Sequence, residues 1–240
     1  MENRKSLLKL SSVDILPGLT LRIPTVDEIL EDEQHYYHLV SSLTATPYQY
    51  MVQLDDYGID FTQIDDFELF MMLFPAVARE DTRILFGDAD LSDLIRRNPE
   101  NGAPSLYSSK NDLTIDELVY NRIADLIRKV NCLKRETRKP GNEEARKFRI
   151  DLERKRQRRN AHKPYEPYLE KLVVALVNRP EFKYNYEQTG QLTIYQFSQS
   201  FEQIKTSINF DNMMTGVYTG TIDMSKVKDR SCLSWVPASR

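Results

Sequence analysis

Apolar and polar residues alternate along Leu19-Thr20-Leu21-Arg22-Ile23 until Pro24. A period of two marks a short strand, and the proline that ends it places that strand at an edge. The period then changes. Thr25 and Glu28 have the Thr-x-x-Glu spacing of a capping box, in which hydroxyl and carboxylate each satisfy a free backbone N–H, so a helix is predicted over 26–43. Thr46-Pro47 closes that stretch, and a shorter helix over 48–57 is stopped by Gly58. Thr62 precedes Asp65 at the same capping spacing, and Ile64, Phe67, Phe70, Met71, Phe74 and Val77 line one face of a core helix predicted over 63–79.

Between 81 and 112 the periodicity is lost. Ile84-Leu85-Phe86 and Leu106-Tyr107 stand among Pro99, Gly102 and Pro104, which reads as a small β-containing insertion. Thr114 and Glu117 form a third capping box. Behind it Ile115, Leu118, Val119, Ile123, Leu126, Ile127, Val130 and Leu133 recur at the spacing of a long amphipathic helix, broken by Lys139-Pro140-Gly141. The stretch 143–161 is rich in helix formers, with Phe148, Ile150 and Leu152 as its apolar anchors. Leu169, Leu172, Val173 and Leu176 mark a buried helix over 168–178. Thr193 and Gln196 make a fourth box, after which Ile194, Phe197, Phe201, Ile204 and Ile208 step like a heptad seam. Residues 217–222 read as a last short strand. These elements predict a mainly α, helical bundle-like domain over 1–240 with a few short β-strands: an N-terminal edge strand, small β elements in 81–112, and one near 217–222.

Composition narrows the class. A chain of 240 residues that is 40% hydrophobic can bury a sizeable core. Eight glycines disfavour turn-rich β architectures and glycine-dependent phosphate loops. Two cysteines, Cys132 and Cys232, are too few for a disulfide framework and point to a reducing compartment. No apolar run approaches the roughly 20 residues needed to span a bilayer. The cytosol is the expected location, with no membrane partner.

Charge changes the picture most. The net charge of −3 hides a window from Arg128 to Lys163 with 15 of the 33 basic residues but 5 of the 36 acidic ones, a local +10 against −13 in the remainder. Its centre holds Arg146, Lys147, Arg149, Arg154, Lys155, Arg156, Arg158 and Arg159. On a basic helix over 141–163 these side chains form an electrostatic contact surface. Phosphate backbones would be attracted without regard to sequence, but an acidic protein surface, self-association or plain solvation suits the same charges.

Catalytic chemistry finds little support. His35 and His38 share a helix face at i, i+3, where Glu31 or Asp32 could complete a metal set, yet an ordinary wet helix face explains them as well. Asp55-Asp56, Asp65-Asp66 and Asp88-Ala89-Asp90 could hold a hard cation, but no phosphate cradle accompanies them, and acidic residues at a helix start answer the helix dipole. No nucleophile-elbow motif occurs. Cys132 stands among apolar helical positions and reads as a small buried hydrophobe. The expectation is a protein that binds a macromolecule and is not an enzyme, with no cofactor and no metal.

The runs Leu172-Val173-Val174-Ala175-Leu176-Val177-Asn178, Glu181 to Glu187, Leu192 to Phe197, Gly216 to Gly220 and Leu233-Ser234-Trp235 resemble proteins encoded among the structural genes of tailed phages and prophages of Gram-positive bacteria. The opening Ile23-Pro24-Thr25-Val26-Asp27-Glu28-Ile29-Leu30 is similar to the start of tail assembly chaperone-like proteins. That resemblance implies a helical protein in the host cytoplasm that binds the tape-measure protein, or the tail-tube protein that replaces it, with no catalytic residue to carry over. Two other roles fit the same reading: a virion component of the neck, tail or baseplate, and a nucleic-acid-binding or host-directed regulator.

Overall fold

The computed structural model describes residues 6–89, 91–98, 103–110, 112–136, 138–228 and 230–236. The alternation at Leu19–Arg22 becomes a strand (β2) paired antiparallel with Ser12–Leu16 (β1), across a turn where Gly18 takes φ +82. Thr25 caps as its spacing predicts: its hydroxyl accepts from the Glu28 N–H, and the Glu28 carboxylate accepts from the Thr25 N–H at 2.8 Å. The single helix predicted over 26–43 is broken. Asp32, at φ −152 and ψ 76, ends Val26–Glu31 (α1), and its carboxylate then accepts from the His35 N–H to start Glu33–Leu43 (α2). One side chain thus replaces a helical turn with a corner.

Met51–Asp56 (α3) is followed by Asp66–Val77 (α4). The cap predicted at Thr62 is displaced, because the Thr62 hydroxyl donates to Asp60 at 2.8 Å and Asp65 forms the box with Glu68 instead. A helical turn at Arg83–Phe86 (α5) leads to an antiparallel sheet of Ile95–Arg97 (β3), Ser105–Ser108 (β4) and Leu113–Ile115 (β5), in that order. The β elements expected in 81–112 are therefore present and run on to 115. Asp90, Pro99 and Gly102 lie outside the described residues. Since Thr114 pairs with Tyr107 across β4 and β5, it cannot cap the next helix. Asp116 does so, accepting from the Val119 N–H at 2.9 Å and opening Glu117–Val130 (α6).

Glu143–Asn160 (α7), Leu169–Val177 (α8), Tyr186–Gln191 (α9) and Ile194–Tyr218 (α10) complete the helices. The strand expected at 217–222 is not formed. α10 continues to Tyr218, Gly220 at φ +74 terminates it, and the Ile222 N–H and Thr221 hydroxyl return to the Gly216 carbonyl at 2.9 and 3.0 Å. No neighbouring strand offers a ladder there among the described residues, so the helical carbonyls take the available donors.

The C-terminal helices are tied to the N-terminal body by backbone and charge. Thr25 and Thr193 form a β-bridge; the Val26 N–H donates to Leu192 O at 2.9 Å and the Ile194 N–H to Pro24 O at 2.8 Å. Two capping boxes, Thr25/Glu28 and Thr193/Gln196, therefore open back to back. Gly190 lies so close to Asp27 that a Cβ would come within 2.2 Å of its carboxylate. The buried Glu33 reaches across to the start of α8, accepting from the N–H groups of Tyr168 (2.8 Å) and Leu169 (3.1 Å) and from the Tyr165 hydroxyl (2.8 Å). Burial and that bond push the Tyr165 phenol up to about 12.

The main core draws on both regions. Phe70 of α4 stacks on Tyr120 of α6 at 4.5 Å between ring centroids, and the same apolar cluster takes in Ile29, Leu39, Leu169, Val173, Ile194 and Phe197. Beside Tyr120, the buried Arg128 donates to the Thr44 carbonyl at 2.9 Å and to the buried Asp66 at 3.0 Å. A second, smaller cluster of Ala45, Met51, Val52, Leu54, Phe61, Leu69 and Ile150 lies beneath α7.

Candidate partner-binding surface

α7 is the basic helix the charge pattern points to. Asn142 caps it, accepting from the Ala145 N–H at 2.8 Å. Its run of Glu, Ala, Lys, Arg and Gln supports the helix, but its sequence offers little apolar surface to hold it down. Of the three expected anchors only Ile150 is buried, at 3% exposure, while Phe148 and Leu152 face outward at 69% and 54%. At 100° per residue, Phe148 and Leu152 each lie about 160° around the helix from Ile150. All three could not have packed on one body, and that angle was the sequence signal for an exposed apolar pair.

The basic residues divide in the same way. Arg154 turns inward and donates to Asp56 at 2.6 Å and to Asp55 at 2.8 Å; the bond to Asp56 raises its pKa. Arg149 donates to the Tyr48 hydroxyl at 2.8 Å, with its guanidinium 5.6 Å from the centre of that ring. Arg146 binds Glu143 at 2.6 Å and lies 3.6 Å from Asp60; its hydrogen bond holds the Glu143 carboxyl below the ordinary range. These three arginines, with Ile150, fasten the helix to α3 and to the segments on either side of it. Lys147, Lys155, Arg156, Arg158 and Arg159 point away from the body. Among the described residues, Lys147 and Arg156 pair only with neighbours on α7 itself, Glu143 at 3.6 Å and Glu153 at 3.3 Å.

Four of the acidic groups that might have served a cation are otherwise engaged. Asp55 and Asp56 hold Arg154, Asp65 caps α4, and Asp66 pairs with Arg128 and Arg135. Asp90 is outside the described residues. His35 Nε2 sits 2.7 Å from the Asp81 carbonyl, and among the described residues no group of three His, Cys, Asp or Glu side chains converges on one point. Cys132 is not the buried helical residue its neighbours suggested. It lies past the end of α6 at φ +55, half-buried, with the Gln199 amide donating to its sulfur at 3.2 Å, because Asn131 ends the helix first. A groove of 620 Å³ between β2 and α5, walled by the Arg22–Glu28 ion pair, carries hydroxyls from Ser11, Ser12 and Thr20, the last of which donates to the Asp14 carboxylate at 2.9 Å.

Residues 157–238 match the family model described as YomV second domain. That family is phage-derived, of Bacillus prophage type, and the match points to a phage origin for the chain. No curated protein and no solved structure matches. The matched stretch begins inside the last turn of α7, so it takes Arg158 and Arg159 but leaves the helix's other basic residues and both outward apolar residues upstream. It covers α8, α9 and α10, and the inner faces of α8 and α10 belong to the main core. No helix among the described residues is long and apolar enough to cross a membrane.

Proposed function

We propose that this chain is a phage tail-assembly protein of chaperone type, which binds the tape-measure protein before the tail tube closes around it. The observation that carries this reading is the outward face of α7, where Lys147, Lys155, Arg156, Arg158 and Arg159 surround the exposed Phe148 and Leu152. An exposed apolar pair one turn apart, set among cations that outnumber the neighbouring Glu144 and Asp151, suits a surface for another macromolecule. The phage-derived family matched by residues 157–238 supplies the setting.

The test is co-expression with the tape-measure protein encoded by the same phage, together with mass spectrometry of purified virions. A soluble complex, with the chain absent from finished particles, is the expected result. A chain found in stoichiometric amounts in the particle would make it a virion component and overturn the chaperone reading. An insoluble tape-measure protein in its presence would do the same.

A further inference from the structure

α7 carries more order on its outer face than a basic patch requires. Phe148, Leu152, Lys155 and Arg159 succeed one another at intervals of four, three and four, the spacing of a coiled-coil seam. On a helix of 3.6 residues per turn they fall within a stripe about 60° wide and about 16 Å long. All four are exposed. The stripe is divided by chemistry: its first half is apolar and its second half basic, with Arg158 and Arg156 beside the basic half. Two carboxylates, Glu144 and Asp151, are also exposed, about 20° and 40° from the edge of the stripe, and the cations around its second half outnumber them. Lys155, Arg158 and Arg159 have no carboxylate partner among the described residues.

We infer that this stripe receives an amphipathic helix of a partner protein, running antiparallel to α7, with acidic residues in its N-terminal turns and apolar residues in its C-terminal turns. The inference rests on the binding role proposed above and specifies its geometry. Antiparallel packing puts the partner's N-terminus beside Lys155 and Arg159, so its carboxylates meet these cations and also favour the positive end of their own helix dipole. Its apolar turns then cover Phe148 and Leu152. A parallel partner satisfying the same stripe would need its acidic residues at its own C-terminus, where the dipole opposes them. Nucleic acid accounts for the cations but leaves Leu152 and Asp151 unexplained.

The experiment uses the full chain and two synthetic helices of about 20 residues, long enough to cover the stripe. One has glutamates at the seam positions of its first half and leucines at those of its second; the other has the same residues in reversed order. Fluorescence anisotropy is expected to show the first binding about tenfold more tightly than the second. Phe148→Ser with Leu152→Ser, and separately Lys155→Glu with Arg159→Glu, are each expected to weaken the first by about tenfold or more. Because all four side chains are exposed, the melting temperature is expected to stay within a few degrees. Equal binding of the two peptides overturns the inference. So does a DNA duplex that binds more tightly than either and is indifferent to Phe148→Ser, or a dimer of the chain that dissociates in that variant. The two proposals fail separately. Peptide discrimination without a tape-measure complex leaves the stripe standing and removes the chaperone role. A tape-measure complex that survives both double variants leaves that role standing and removes the stripe.

Discussion

Glu33 shows what one buried carboxylate does when its partners come from elsewhere in the chain. It begins α2, yet its oxygens receive the free N–H groups of Tyr168 and Leu169 at the start of α8, a charged cap supplied in trans. Glu33→Gln keeps the shape but turns an amide group toward donors. It is expected to cost about 1–3 kcal/mol, read as a lower urea midpoint with an unchanged slope; an unchanged midpoint would mean that α8 needs no cap. This contact was illegible in the sequence because its partners are 136 residues apart. The boxes at Thr25/Glu28 and Thr193/Gln196 were legible because donor and acceptor stand three apart. Even local spacing misled where another group competed: Asp60 took the Thr62 hydroxyl, and sheet pairing took Thr114.

Among the elements, α7 is held in an unusual way. A helix normally buries an apolar stripe, but α7 buries Ile150 and otherwise rests on Arg146, Arg149 and Arg154. Ile150→Ala is therefore expected to cost about 2–4 kcal/mol and to loosen α7 before the rest of the fold. Amide exchange would rise across 143–160 while Tyr120 and its neighbours stay protected. Uniform exchange across the protein would show instead that α7 is cooperative with the main core. The helix itself was legible from composition and its basic character from a simple count of charges. Which of its residues face inward was not, because the deciding contacts are carboxylates of α3, about a hundred positions upstream. The strand expected at 217–222 failed for a related reason: alternation over a few residues names a strand only if a neighbour offers a ladder, and here Gly220 closes a helix instead.

For the whole molecule, the boundary at residue 157 is one of similarity, not of packing. Leu169, Val173, Leu176, Phe182, Ile194 and Phe197 share their apolar cluster with Ile29, Phe70 and Tyr120, so the matched stretch has no separate core to close. Residues 157–238 produced alone are expected to lack a cooperative thermal transition by circular dichroism, and to gain one when mixed with residues 1–156. A sharp transition in the isolated fragment would make it a domain in its own right. The mainly helical character of the chain was legible throughout, as was the separation of a basic segment from an acidic remainder. That Asp55 and Asp56 would draw Arg154, and Asp60 Arg146, onto the body could be seen only in three dimensions.

The bridge between Thr25 and Thr193 sets a timetable for the nascent chain. Residues 24–26 hold the backbone partners of Leu192 and Ile194, and at about 5–20 residues per second these emerge roughly 10–30 s after the opening of α1. Through that interval α1 waits without α9, the helix that packs against it. A ribosome that pauses anywhere between α1 and α9 lengthens the wait, whereas one that pauses after Ile194 has emerged does not. Synonymous codons between α1 and α9, those of α3 and α7 included, therefore bear on the yield of folded protein in a way that those encoding the later turns of α10 do not.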